Sequence, residues 1–164
     1  MRGWNRTLKR FYQSVVILSL CASPISCRDH PSTPDTFDQK IVHFINTHCN
    51  SETACLFRLK DVTNFQWDKM YAFTYAAQQS EVENILGRKL PGFAEFQRKL
   101  IFLKNGDVVF IAQQKTDIEK LVPDEVVFDI PETANYKVYS ADASFRVAKI
   151  EASELFYYKL NSLR

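Results

Sequence analysis

Leu100-Ile101-Phe102-Leu103-Lys104-Asn105-Gly106-Asp107-Val108-Val109-Phe110-Ile111 reads as two apolar runs hinged on a two-residue turn. Asn-Gly suits a type I′ turn, because both central positions need positive φ and these two residue types tolerate it best. A loop of that length pairs Leu103 with Val108, Phe102 with Val109, and Ile101 with Phe110. Both faces of such a hairpin are apolar, so its strands are expected to be central and covered on both sides.

Upstream of the hairpin, Ser80 and Glu83 have capping-box spacing, and Val82, Ile85 and Leu86 form a short apolar stripe. Gly87 follows as the left-handed residue that ends a helix. Before that helix, residues 66–75 alternate, with Trp67, Lys69, Tyr71, Phe73 and Tyr75 on one face and Asp68, Met70, Ala72 and Thr74 on the other. That period marks a strand, and residues 56–60 also look extended. Thr36 with Gln39 opens a helix over residues 37–48. Phe37, Ile41, Phe44, Ile45 and His48 share one face of it, while Asp38, Gln39, Lys40 and Asn46 fall largely on the other. Downstream, residues 125–130, 136–139, 144–150 and 155–160 are strand candidates, and residues 117–121 suit a single helical turn. The order α, β, β, α, then mostly β, with short connections, predicts an α+β fold. The expected architecture is a mostly antiparallel sheet with about two helices packed to one side.

The N-terminus has the three parts of a secretory signal. Arg2, Arg6, Lys9 and Arg10 precede an apolar stretch over residues 11–22, and Pro24 then stands among small residues. A membrane-spanning helix needs about 20 apolar residues, so this run is too short to be one and is expected to be a removable signal peptide, residues 1–27. Ile25-Ser26-Cys27 resembles the end of a bacterial lipobox, with Pro24 where Leu is usual, which predicts cleavage before Cys27 and lipid on its thiol. Two alternatives stay open: cleavage after Cys21 with a soluble exported product, and an uncleaved anchor. Parity favours the first reading, because it leaves Cys49 and Cys55 as a pair, whereas cleavage after Cys21 strands Cys27 unpaired in an oxidising compartment. Residues 28–35, with Pro31 and Pro34, read as a polar tether, and residues 36–164 as one domain.

Charge narrows the partners. The chain carries 21 basic and 19 acidic residues, but four of the basic ones lie in the signal, leaving 17 against 19 and a net charge of −2. There is no block of five like charges, so the basic patch that nucleic-acid binding requires is missing. The membrane is then expected to be reached through the lipid anchor, and a protein of the envelope is the expected partner.

The segment Phe65-Gln66-Trp67-Asp68-Lys69-Met70-Tyr71-Ala72-Phe73 resembles a set of small bacterial lipoproteins to which no activity is assigned. They share a Phe-x-Trp-Asp-x-x-Tyr-x-Phe strand, a short helix ended by Gly, and an apolar hairpin with a Lys-Asn-Gly-like turn. The likeness covers roughly residues 56–128 and departs at Ala76, where the set has a proline-containing turn. It implies a compartment and a fold, and no mechanism.

Candidate chemistry is sparse. Cys49 and Cys55 flank a polar turn, and a disulfide across so short a loop contributes about 2 kcal/mol in the chain-entropy model. A metal site from His43, His48, Cys49 and Cys55 fits poorly, because two histidines five apart lie on different helix faces and the cysteine spacing is not a zinc-knuckle one. No metal or cofactor is expected. No serine lies in a Gly-x-Ser-x-Gly elbow, there is no Gly-rich phosphate loop, and Glu81/Glu83 and Asp124/Glu125 read as solvated carboxylates. Asp68 is expected to accept hydrogen bonds at the start of its strand. Trp67, Tyr71, Phe73 and Tyr75 make a binding platform if exposed, and core if buried. The leading expectation is a non-catalytic, lipid-anchored envelope protein that binds another component. The alternatives are a periplasmic inhibitor or immunity protein against a toxin or lytic enzyme, and a hydrolase whose site is assembled from distant residues.

Overall fold

A computed structural model describes residues 36–49, 55–115, 122–152 and 155–163. The expected signal and tether, with Cys21 and Cys27, and the helical turn expected at residues 117–121 lie outside the described residues. In chain order the elements are α1 (Phe37–His48), β1 (Leu56–Arg58), a single 3₁₀ turn (Leu59–Asp61), β2 (Lys69–Phe73), α2 (Gln79–Leu86), β3 (Gln97–Lys104), β4 (Asp107–Lys115), β5 (Val126–Phe128), β6 (Tyr136–Ser140), β7 (Ser144–Ala152) and β8 (Leu155–Ser162). The fold is α+β. The strands form two four-stranded sheets, ordered β4-β3-β2-β6 and β1-β7-β8-β5. Every pairing is antiparallel except that of β5 with β8.

The hairpin turn has the expected geometry, with φ of 52° at Asn105 and 87° at Gly106. Lys104 faces Asp107, and Leu103 faces Val108. Beyond that the register shifts at a bulge, so that Phe102 lies opposite Phe110 and Ile101 opposite Ile111. The expected pairs Phe102–Val109 and Ile101–Phe110 therefore do not form. Opposed residues share a face, so an unbulged ladder would have turned Phe110 to the side of Ile101. The bulge instead brings Phe110 beside Phe102, Phe37 and Phe65, with ring centroids 5.8, 5.9 and 4.9 Å away. Val109 is the residue turned outward, 44% exposed. Of the two hairpin strands only β3 is central; β4 borders its sheet among the described residues.

Two cores follow from β3. Leu100 and Phe102 enter one, with α1 residues Phe37, Ile41, Val42 and Ile45 and residues of both sheets, among them Phe57, Met70, Phe145 and Leu160. Ile101 and Leu103 enter the other, with Phe73, Ala77, Val82 and Leu90. The two helices thus serve opposite faces of the β4-β3-β2-β6 sheet, a division that one sheet with both helices to one side does not anticipate.

Local signals explain most of the helix ends. The Thr36 capping box closes at both bonds, with Gln39 N–H donating to Thr36 Oγ1 at 3.2 Å and Thr36 N–H to Gln39 Oε1 at 2.9 Å. Helix α2 ends on Gly87 at φ 67°, a conformation that glycine adopts readily because it has no Cβ. Its start differs from expectation. Gln78, and not Ser80, takes the N-cap position, and Glu83 Oε1 accepts from Gln79 Nε2 at 2.8 Å and from Leu90 N–H at 3.0 Å. Cys49 and Cys55 stand at disulfide-bonding distance, their Cα atoms 5.3 Å apart.

Phe102 is fully buried and touches Phe37, Phe65, Trp67 and Phe110. Phe102→Ala is expected to cost about 3–5 kcal/mol in denaturant unfolding, whereas Val109→Ala at the bulge should stay within about 0.5 kcal/mol of the parent.

Candidate functional site

Strand β2 leaves its sheet at Phe73, and Thr74 N–H donates to Asn135 O at 2.8 Å. Tyr75 then turns into solvent, 43% exposed, before Ala77 is buried and α2 begins. After α2 the chain passes Gly92, at φ 75°, and enters β3 through a turn at Glu95-Phe96. Phe96 has φ 56° and is 70% exposed. A bulky side chain in the left-handed region costs about 1–2 kcal/mol. So little of this ring is buried that packing does not offset the cost, which is the pattern expected of residues held for contact with something else.

Tyr75 and Phe96 border the same open concavity, about 660 Å³, whose remaining wall includes Gln78, Gln79, Ser80, Glu83, Lys89 and Glu95. Its charged residues are Glu83, Glu95 and Lys89. Lys89 Nζ donates to Glu83 Oε2 at 2.8 Å, and that bond, with those from Leu90 N–H and Gln79, holds the Glu83 carboxyl down at about 2. Behind the wall, Lys99 is 1% exposed, donates to Gln97 O at 2.8 Å and sits 3.8 Å from the centroid of the Phe93 ring. Burial lowers the Lys99 pKa, against the pull of Glu95.

A second cavity, about 290 Å³, also has Tyr75 at its border. Ala72, Leu100, Val126, Phe128 and Ile130 make it largely apolar, and Thr74 Oγ1, buried without a hydrogen-bond partner among the described residues, belongs to a residue of its wall. Arg98 and Glu125 also line it, and they pair there while Arg98 Nη1 donates to Val126 O at 3.1 Å. Asp38 joins this cluster, accepting from Gln114 and, at 3.4 Å, from Val126 N–H. The helical wheel placed Asp38 on the outer face of α1; it is instead turned inward at the first turn, where β5 passes. Burial pushes its carboxyl up to about 7, against the opposing effects of Arg98 and the Val126 N–H.

A third cluster joins the two sheets. Lys137 Nζ, Ser162 Oγ and Tyr139 Oη each donate to the Asp129 carboxylate at 2.8 Å, and Lys137 also donates to Ser162 Oγ at 2.9 Å. Burial acts to raise the Asp129 pKa, but the bonds from Lys137, Ser162 and Tyr139 leave it below the ordinary carboxylate value. Burial, and then the bond to Asp129, push the Tyr139 hydroxyl up. The serine proton is thus directed at a weak base, which is poor preparation for a nucleophile. The cluster serves as a tie between β6 and β8.

The four aromatic residues picked out by alternation are divided. Trp67 precedes β2, is 5% exposed and packs edge-on against Phe102 at 5.1 Å in the first core, with Nε1–H donating to Thr63 Oγ1 at 3.0 Å. Phe73 is buried in the second core, Tyr71 packs beside it half-buried, and Tyr75 alone of the four is exposed. They do not form one platform, because the ladder begins only at Lys69 and the alternation does not extend back to Trp67. Asp68 accepts from Asn105 N–H at 2.7 Å, tying the start of β2 to the hairpin turn. His43 is exposed, and His48 stacks on Phe44 with ring centroids 4.2 Å apart. Among the described residues no three His, Cys, Asp or Glu side chains are placed to hold a metal ion.

Sequence reasoning missed Phe96, because nothing in Ala94-Glu95-Phe96-Gln97 marks a positive φ where glycine or asparagine would. No protein-family model, curated protein or solved structure matches this chain.

Asp38 gives the fold a pH dependence with a definite sign. Its folded pKa of about 7 lies above the ordinary aspartate value of 3.8, so the folded state binds the extra proton between them. Its contribution to stability is complete below about pH 4 and is lost as pH rises towards 7. Asp38→Asn keeps an oxygen for the Val126 N–H and should flatten that part of the curve. The check is denaturant unfolding of parent and variant at pH 4.5 and 7.5, where the gap should shift by about 2–4 kcal/mol in favour of the variant at the higher pH.

Proposed function

We propose that this chain is exported, carries lipid on Cys27, and acts as a non-catalytic binding module of the cell envelope. Its N-terminal 27 residues, with four cations, a short apolar run and Ile25-Ser26-Cys27, support the export and the anchor. The likeness of residues 56–128 to small bacterial lipoproteins points the same way.

The exposed aromatic pair carries the binding reading. Tyr75 and Phe96 are held at the border of one open concavity, and Phe96 adopts a backbone conformation that costs stability without burying its ring. The ionisable clusters around it are engaged with one another: Glu83 with Lys89, Arg98 with Glu125, and Asp129 with Lys137. Groups so occupied are suited to shaping a surface.

Two experiments test the two halves. Cys27→Ala should release the protein from the membrane fraction and remove the mass of the acyl groups; a variant that stays membrane-bound at otherwise unchanged mass rules out the anchor. For the binding half, a photo-activated cross-linker replaces Phe96 in the natively exported chain, with Leu56, 55% exposed on the other sheet, as the control position. Position 96 should give an adduct to a defined envelope component that position 56 does not. Equal labelling from both positions, or none from either, sinks the assignment of this surface.

A further inference from the structure

We infer that the concavity between Tyr75 and Phe96 is a subsite for a neutral oligosaccharide. The inference rests on the reading of the domain as a binding module and names the class of its ligand.

Three observations converge on a sugar. The first is the pair of exposed rings bordering one opening, Phe96 at 70% and Tyr75 at 43% exposure. An aromatic face carries negative potential and attracts polarised C–H groups, which the flat faces of pyranose rings present. The second is the polar wall. Gln78, Gln79 and Ser80 supply amide and hydroxyl groups that both donate and accept, as sugar hydroxyls do. The third is charge. The wall carries two carboxylates, Glu83 and Glu95, and one ammonium, that of Lys89, which is paired with Glu83 at 2.8 Å. An anionic ligand would meet an excess of carboxylate there, whereas the hydroxyls of a neutral one can bond to the wall without breaking the Glu83–Lys89 pair.

The shape fits a chain rather than a single buried ring. The concavity is open, and its two aromatic residues come from different segments, Tyr75 before α2 and Phe96 before β3. The positive φ of Phe96 is then explained: the left-handed turn aims the ring outward at the start of β3, where an extended backbone would continue the alternation of the strand. The smaller cavity that Tyr75 also borders is walled chiefly by Ala72, Leu100, Val126, Phe128 and Ile130 and is not part of this subsite.

The test is calorimetric titration of the purified full-length protein with cellotetraose, maltotetraose and tetra-N-acetylchitotetraose, with tetragalacturonate as the charged counterpart. At least one neutral tetrasaccharide should bind with a Kd of about 0.1–5 mM, and tetragalacturonate at least about tenfold more weakly. Tyr75→Ala and Phe96→Gly should each weaken binding at least about tenfold, the change expected when a stacking contact of this size is removed. Glycine suits the φ of 56° at position 96, so Phe96→Gly is expected to keep the melting temperature of the parent. No heat from any neutral sugar at about 10 mM, stronger binding of tetragalacturonate, or affinity that survives both substitutions overturns the assignment. If the sugars fail while position 96 cross-links to a protein in cells, the glycan assignment falls and the binding module stands; if both fail, both fall.

Discussion

Strand β3 carries four consecutive apolar side chains, Leu100 to Leu103, each no more than 7% exposed. Successive residues of a strand point to opposite faces, so no single layer can cover them. One face needs a cover for Leu100 and Phe102, and the other needs one for Ile101 and Leu103. The first is met by α1 and the second sheet, the second by α2 and the loop that follows it. The placement of both helices, and the separation of the strands into two sheets, follow from that requirement.

Phe102 shows how strongly the first core is organised around aromatic contact. It meets Phe37 of α1, Phe65 and Trp67 before β2, and Phe110 across the hairpin, and the edge-on approaches suit ring quadrupoles. The bulge in β4 belongs to the same arrangement. It loses regular ladder pairing at Val109 and gains a fourth ring beside Phe102. Polar ties close the remaining seams. The Asp129 cluster spans the two sheets, and the Asp38, Arg98 and Glu125 cluster joins α1 to β3 and β5.

These seams leave the surface around Tyr75 as the place where the chain departs from local economy. Tyr75 borders a polar concavity on one side and an apolar slot on the other. Both exist because β2 ends at Phe73 while its neighbour β3 continues to Gln97, paired there with Lys115 of β4. The surface thus owes its position to unequal strand lengths, and Phe96 owes its outward aim to the turn that starts β3.

Much of the fold was legible in the sequence, because its signals are local. Thr36 with Gln39, Gly87, and Asn105-Gly106 each mark an end or a turn through their own backbone and capping chemistry, and all three act as read. The α+β class follows from the order of such elements. Far less of the site was legible. Alternation over residues 66–75 grouped Trp67 with Tyr71, Phe73 and Tyr75, but where a strand begins depends on its partners, and the pairing starts at Lys69. Asp38 looked solvated on the helical wheel, and only the passage of β5 over the first turn of α1 buries it. The sequence by itself determined where the chain bends, which segments are apolar on one face or two, and the class of the fold. Tertiary structure alone decided the bulge that sends Val109 outward, the burial of Asp38, and the meeting of Tyr75 with Phe96 at one concavity. The reason is physical: capping and turn chemistry act within a few residues, whereas burial and register are set by partners many residues away in the chain.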